Sequence, residues 1–440
     1  MSDRDVSSGA SHRRVLAPLR EHLRDTFWFA PAAAMVGVFV IWLAADALDT
    51  AVVTALKREG DFEQLAELQR FADDAKTVVS TVSSAMMTFI GVVFSISLVA
   101  VQMASGQFTP RVVRLFVRSR ITKATFAVFL ATFVLSLLVL TSYDSSPDPR
   151  AAISVPLVQS FLTLLMVALS LMLFVFYVNA TLRLMRVSHV IARIATESFR
   201  VAAAMPETLP RAELPDLGPV TGWVAHEGRA GVLRDVDTVR LVRAARTHEV
   251  VLRLVPRIGD FLVPGTPVLA VHGGRPPASR ALRSTVSVGV ERTYDQDLAF
   301  GLRQLSDIAL RALSSAINDP TTAVQALDRI VQFLAALSRR PLGAALYRDR
   351  AGEVRLVQPV PTWTALVDLG FAEVRACALG NPQVSRRLLA GLDDLLVIAP
   401  PERHEPLLRH RELLIQVIGR EAPNPTDRAF ALWPDRQGIG

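Results

Sequence analysis

The chain has 440 residues, 51% of them apolar, with a formal net charge of +7 and a mean hydropathy of +0.34, high for a soluble protein. Its lone cysteine, Cys377, excludes a disulfide framework or a thiolate metal site within one chain. The excess of bases suggests a nucleic-acid partner at first, but much of it flanks apolar runs, where membrane topology and anionic lipid head groups account for it; no nucleic-acid partner is expected.

Four stretches lack Asp, Glu, Lys and Arg: residues 27–45, 77–101, 124–142 and 151–182. Crossing a hydrocarbon core takes about 20 residues, and only helices satisfy every backbone group there, so each stretch predicts a transmembrane helix. Arg4, Arg13, Arg14, Arg20 and Arg24 precede the first span, and Arg111, Arg114, Arg118, Arg120 and Lys123 separate the second from the third. Arg183, Arg186, Arg193 and Arg200 follow the fourth. The connection over residues 46–76 holds eight acids against four bases, and the one over 143–150 carries Asp144 and Asp148. The positive-inside rule then places both termini in the cytoplasm. The first apolar run is too long and too far into the chain to read as a cleaved signal peptide.

The first and third spans look like plain anchors. The second differs: Ser84, Thr88, Gly91, Ser95 and Gln102 recur at helical spacings and form one small, polar stripe. The simpler account is close helix packing through small residues. The sharper account is that the stripe lines a water-filled path in a homo-oligomer, where hydroxyls replace an ion's hydration shell. After Thr109 and Pro110, Arg111, Arg114 and Arg118 alternate with apolar residues, as in an amphipathic basic helix lying on the inner leaflet, with membrane lipid as its partner. The fourth stretch exceeds a hydrocarbon core of about 30 Å, so it is expected to tilt or to continue as a rod through Arg183, Arg186 and Arg193.

Proline-rich residues 206–219 mark a linker. Short β-branched runs over residues 221–290 alternate with turns at Gly259-Asp260 and Pro264-Gly265, as in a small sandwich. The segment around those turns is similar to half of the barrel-sandwich module of biotinyl and lipoyl carriers. No lysine follows Lys123, so neither group can be attached and no cofactor is expected. Beyond Arg292 the pattern turns helical. Arg303, Asp307 and Arg311 fall at four-residue steps suited to ion pairing, and Asp319 before Pro320 reads as a helix cap. A hairpin is expected over residues 346–359, around Gly352. Asp295, Asp297, Asp307, Asn318 and Asp319 could in principle gather around a hard cation, but capping and Arg–Asp pairing explain them without one. The histidines show no metal-ligand spacing, and no nucleotide-binding or nucleophile-elbow motif is present, so neither a metal nor an enzymatic activity is expected.

Two long segments, residues 94–111 (FSISLVAVQMASGQFTPR) and 297–323 (DLAFGLRQLSDIALRALSSAINDPTTA), resemble those of a bacterial family of predicted membrane proteins of unknown function, the DUF 2254 family. The resemblance covers nearly the whole chain and implies four spans followed by a cytoplasmic half in the bacterial plasma (inner) membrane. Ser315 stands where the family is expected to carry proline. The expected fold is therefore a four-helix transmembrane domain followed by a cytoplasmic α+β region with a barrel-sandwich-like module and a helical domain. The divisions are a cytoplasmic segment (1–26), the membrane domain (27–185), a helical extension and linker (186–217), the β-rich module (218–290) and the helical domain (291–440). Two functions fit: an oligomeric channel or passive transport protein for an ion or small solute with a cytoplasmic regulatory domain, or a membrane-anchored scaffold or sensor that binds a cytoplasmic partner or ligand.

Overall fold

A computed structural model describes residues 29–107, 120–143, 155–274, 277–378, 380–422 and 424–437. The chain divides into two compact units, Met1–Arg186 and Val187–Gly440.

The first unit contains four helices long and apolar enough to cross a membrane. They are α1 (Phe29–Glu59), α2 (Phe62–Gln107), α3 (Arg120–Thr141) and α4 (Leu157–Met185). The acidic first connection is itself helical: α1 and α2 continue through it and reverse at Gly60, whose φ of +75° suits a residue without Cβ. With 46 residues, α2 extends about 69 Å at 1.5 Å per residue, far more than a hydrocarbon core. Its buried apolar residues are Leu65, Ala72, Val79, Met86, Val93 and Ala100, an unbroken seven-residue repeat, with Ser83 buried beside them. Such a repeat keeps one seam of the helix against its neighbours, as in left-handed helix bundles.

The third span is more than a plain anchor. Helix α3 packs against α1, α2 and α4, and Phe129, Ala131, Thr132, Leu135, Ser136 and Val139 along it are buried. Around it Phe89, Phe129 and Phe174 stack edge to face or tilted, with ring centroids 5.8–6.5 Å apart. The rod expected after the fourth span is also revised. Helix α4 ends at Met185, Arg186 is extended (φ −79°, ψ 116°), and a new helix starts at Val187.

Asp49 is only 2% exposed, although it lies among the acids of the first connection. Its carboxylate accepts backbone N–H bonds from Val158 (2.9 Å) and Gln159 (3.3 Å), so a residue of α1 caps the start of α4. Helix N-termini carry unpaired donors and a positive dipole end, and a carboxylate satisfies both. The Gln159 side chain donates in turn to Asp46 (3.0 Å).

The second unit begins with α5 (Val187–Ala203) and continues through β1 (Thr208–Leu209), β2 (Val220–Ala225), β3 (Gly231–Val236), α6 (Thr238–Thr247), β4 (Val251–Leu254), β5 (Phe261–Leu262), β6 (Pro267–His272), α7 (Ser279–Arg283) and β7 (Val286–Gly289). It ends with α8 (Phe300–Ala312), α9 (Pro320–Leu337), β8 (Ala344–Arg348), β9 (Val354–Pro359), α10 (Trp363–Cys377), α11 (Pro382–Ile398), α12 (His404–Glu421) and α13 (Pro425–Ala431). The strands form two open sheets, β1-β8-β9-β4-β6-β2 and β5-β3-β7, rather than a closed barrel. The expected hairpin is β8–β9, and β9 then pairs in parallel with β4, so the larger sheet joins the β-rich segment to strands lying far along the helical one. Leu233, Leu241, Leu252, Leu254, Leu269 and Leu356 fill the core beside the sheets. In the helical part α9 packs against α5, α8 and α11, with Leu327, Ile330, Phe333 and Leu334 buried.

Arginines close helix ends here. Arg340 donates to the carbonyls of Ala202 and, at 3.0 Å, Met205 at the end of α5. Arg403 donates to the carbonyls of Leu337 (3.0 Å) and Arg340 (2.5 Å) just past α9, and its backbone carbonyl accepts the indole N–H of Trp363 (2.9 Å). Cations belong at the carbonyl end of a helix for the reason that anions belong at the other. Between α10 and α12 the buried His410 ring packs on Phe371 and donates from Nε2 to Asp368 (2.8 Å), which also accepts from Arg409 (2.5 Å). Burial, with Arg375 and Arg409 nearby, lowers the His410 pKa despite Asp368.

Replacing Asp49 with Ala should lower stability by about 1–2 kcal/mol, as loss of a strong helix cap does; thermal unfolding in detergent measures it, and Asp49→Asn should lose less. Because His410 is held neutral in the folded state, its contribution is full above a pH of about 6.5 and declines as pH falls below that value. The melting temperature should therefore drop between pH 7.5 and 5.5, and by less in His410→Gln.

Candidate functional site

The polar stripe on α2 lies opposite its buried seam. Between residues 77 and 102, counting two or five places on from the seam residues gives Thr77, Thr81, Ser84, Thr88, Gly91, Ser95, Leu98 and Gln102, all exposed. The stripe is thus longer than the five residues picked out by spacing, with Leu98 its one interruption. Among the described residues of the first unit, it faces away from the other helices. Thr81 and Ser84 satisfy their hydroxyls on the carbonyls one turn back, Thr77 at 2.9 Å and Ser80 at 3.2 Å. Among the described residues, the side chains of Thr88, Ser95 and Gln102 have no hydrogen-bond partner. In hydrocarbon an unpaired polar group is costly, so this face calls for water or another helix. Arg111, Arg114 and Arg118 lie outside the described residues.

The polar residues singled out in the second unit are not gathered into one site. Asp297 is held by both guanidinium arms of Arg292, at 2.8 and 2.9 Å, and burial keeps its carboxyl above the usual carboxylate range. The predicted turn at Gly259 (φ +95°) seats against this pair, where a Cβ would fall 2.6 Å from Asp297 and 2.8 Å from Arg292. Arg303 bridges Asp307 (2.7 Å) and Glu373 (2.5 Å), two turns of α8 before Arg311. Asn318 takes a positive φ of 48° at the turn into α9, and Asp319 caps that helix, accepting from the Thr322 N–H (3.0 Å) and hydroxyl (2.6 Å). Each residue thus has a structural partner or turn of its own. Among the described residues, no group of three or more His, Cys, Asp or Glu side chains could hold a metal ion.

The spacing of residues gave no sign of a cleft in the second unit. A cavity of about 600 Å³ lies where the two sheets fail to close, between edge strand β2 and edge strand β7. Val224, Val286, Val288 and Val290 line it, with Arg229 and Arg283 at its margin. Arg283 pairs with Glu227, and the loop between β2 and β3 is pinned by a 2.8 Å bond between His226 Nε2 and the Arg229 carbonyl. The Arg229 guanidinium itself has no partner among the described residues. The alternating valines of β7 were a usable signal, but the cleft needs β2 opposite them, more than sixty residues earlier.

Residues 24–394 match the family described as "Predicted membrane protein (DUF2254)". An uncharacterised protein of Mycobacterium bovis and one of Mycobacterium tuberculosis are each 30% identical over 372 residues, covering 82% of this chain and 71% of the relative. No solved structure matches. The chain belongs to the DUF2254 family of predicted membrane proteins.

If the Arg292–Asp297 pair is structural, Asp297→Ala should destabilise by about 2–3 kcal/mol, because it strands a partly buried guanidinium. Thermal unfolding measures this, and added Mg²⁺ should leave the melting temperature of both proteins unchanged.

Proposed function

We propose that this DUF2254-family member is a homo-oligomeric channel or passive transport protein of the bacterial inner membrane, with its second unit acting as a cytoplasmic regulatory domain. The observation that carries the reading is the stripe from Thr77 to Gln102, a membrane-length polar face that the chain's own packing leaves uncovered. Copies that turn these faces together would form a hydroxyl-lined path able to replace part of a solute's hydration shell. The interior of one four-helix unit is filled by Met86, Phe129 and Tyr177, so the path lies between chains rather than through one. Ser84 and Thr88 line its midsection, Gly91 lets helices approach closely, and Gln102 stands at one mouth. Passive flow suits a stripe of neutral groups, since proton relays through membranes use ionisable ones.

The test is solute efflux from proteoliposomes. Wild-type protein should release a common cation, anion or small neutral solute, and the double substitution Ser84→Leu, Thr88→Leu should cut the rate at least tenfold with the oligomer's size unchanged on a native gel. Impermeability to all three solute classes, or flux that survives the double substitution, would overturn the reading.

A further inference from the structure

An open sheet edge exposes backbone N–H and C=O groups that can pair with another strand, and natural proteins usually guard such edges with bulges, charges or proline. Strand β2 is guarded: its register with β6 shifts twice, between Val220 and Gly222 and between Val224 and Ala225. Strand β7 is not. It is a run of Val286, Ser287, Val288 and Gly289, pairing only with β3, and none of its backbone groups bonds in the other direction among the described residues. Val290 follows it 90% exposed. The edge opens into the cleft of about 600 Å³, whose walls are valines and whose free charge is the Arg229 guanidinium. Glu227, the acid at the cleft, is already taken by Arg283.

From this we infer that the cleft is a docking site for an extended segment of a partner protein, which adds as a strand along β7. Strand addition uses main-chain hydrogen bonds for affinity and alternate side chains for specificity. The chemistry of the cleft defines the segment. It has small β-branched residues at every second position, to lie against Val286, Val288 and Val290, and a carboxylate to meet Arg229. Four residues of β7 correspond to about 13 Å of extended chain, enough to register four to six residues of the partner. The inference concerns the second unit alone and is independent of whether the membrane unit conducts.

The probe is an acetylated hexapeptide of alternating valine and glutamate, with two controls: the same peptide with lysine for glutamate, and an isomer carrying proline at a central valine position. The full chain in lipid nanodiscs is followed by fluorescence polarisation and by hydrogen exchange. The acidic peptide should bind saturably and slow exchange of the β7 amides. The lysine and proline peptides should bind at least tenfold more weakly. Arg229→Glu and Val290→Asp alter exposed side chains and should weaken binding at least tenfold without changing the melting temperature. The proposal is overturned if the acidic peptide does not bind, if the proline isomer binds equally, or if the β7 amides are already protected without peptide. It is also overturned if millimolar acetate or inorganic phosphate abolishes the effect, which would mark a small-anion site.

Discussion

A peptide group in hydrocarbon has only its own helix to bond with, and each helix begins with N–H groups for which the helix has no acceptor. The membrane unit meets this constraint at the start of α4 with a carboxylate from another helix. Asp49 sits where the apolar run of α1 gives way to acids, and its two oxygens accept from successive amides of α4. The arrangement sets the relative height of α1 and α4, because sliding either by one turn would separate charge from donors. It also brings Gln159 to Asp46, so three side chains close one helix end. The same economy runs down the bundle. The Thr132 hydroxyl meets Ser170 (3.0 Å), Tyr143 meets Ser160 (2.7 Å), and Tyr177 donates to the Val93 carbonyl (3.1 Å).

Against that background, two surfaces are left unfinished. Several inward polar groups of the bundle are matched to one another, although Thr125 Oγ1 and Gln159 Oε1 are buried without a partner, whereas those along the outer face of α2 are matched to their own backbone or to nothing described. In the second unit the strands satisfy one another across two sheets, yet β2 and β7 end those sheets without meeting. Both surfaces are built on regular elements with well-buried reverse sides: the seam of α2 in one case, the core beneath β3 and β6 in the other. Their exposed chemistry is therefore held in place by packing that does not depend on an occupant.

What could be read directly from the residues was local. Charge-free length marks the spans, Gly259 and Gly265 mark turns that do take positive φ, and Asp319 before Pro320 marks a cap that forms as expected. Each of these depends on neighbours within a few positions. What escaped was long-range. Asp49 resembles any acid in an outer loop until α4, more than a hundred residues later, is set against it. The parallel pairing of β4 with β9 joins segments about a hundred residues apart and leaves no local trace. The stripe on α2 was visible as a pattern, but a helix wheel has no fixed zero. Only the seven-residue seam of buried positions shows which way the stripe points. The third span was misjudged for a related reason: its Thr132 and Ser136 are unremarkable in sequence and central once three helices surround them.

The arginines that close α5 and α9 form a chain in series. Arg340 grips carbonyls at the end of α5 while its own carbonyl is gripped by Arg403, which also reaches Leu337 at the end of α9 and returns a carbonyl to Trp363. A load applied to α5 is therefore not absorbed by a slack hinge after Ala203. It passes through two guanidinium groups, whose planar forks resist bending, into the roots of α9 and α10. Since α5 is the helix that directly follows Arg186, any strain entering the second unit along the chain arrives first at this rigid linkage and is spread over three helices.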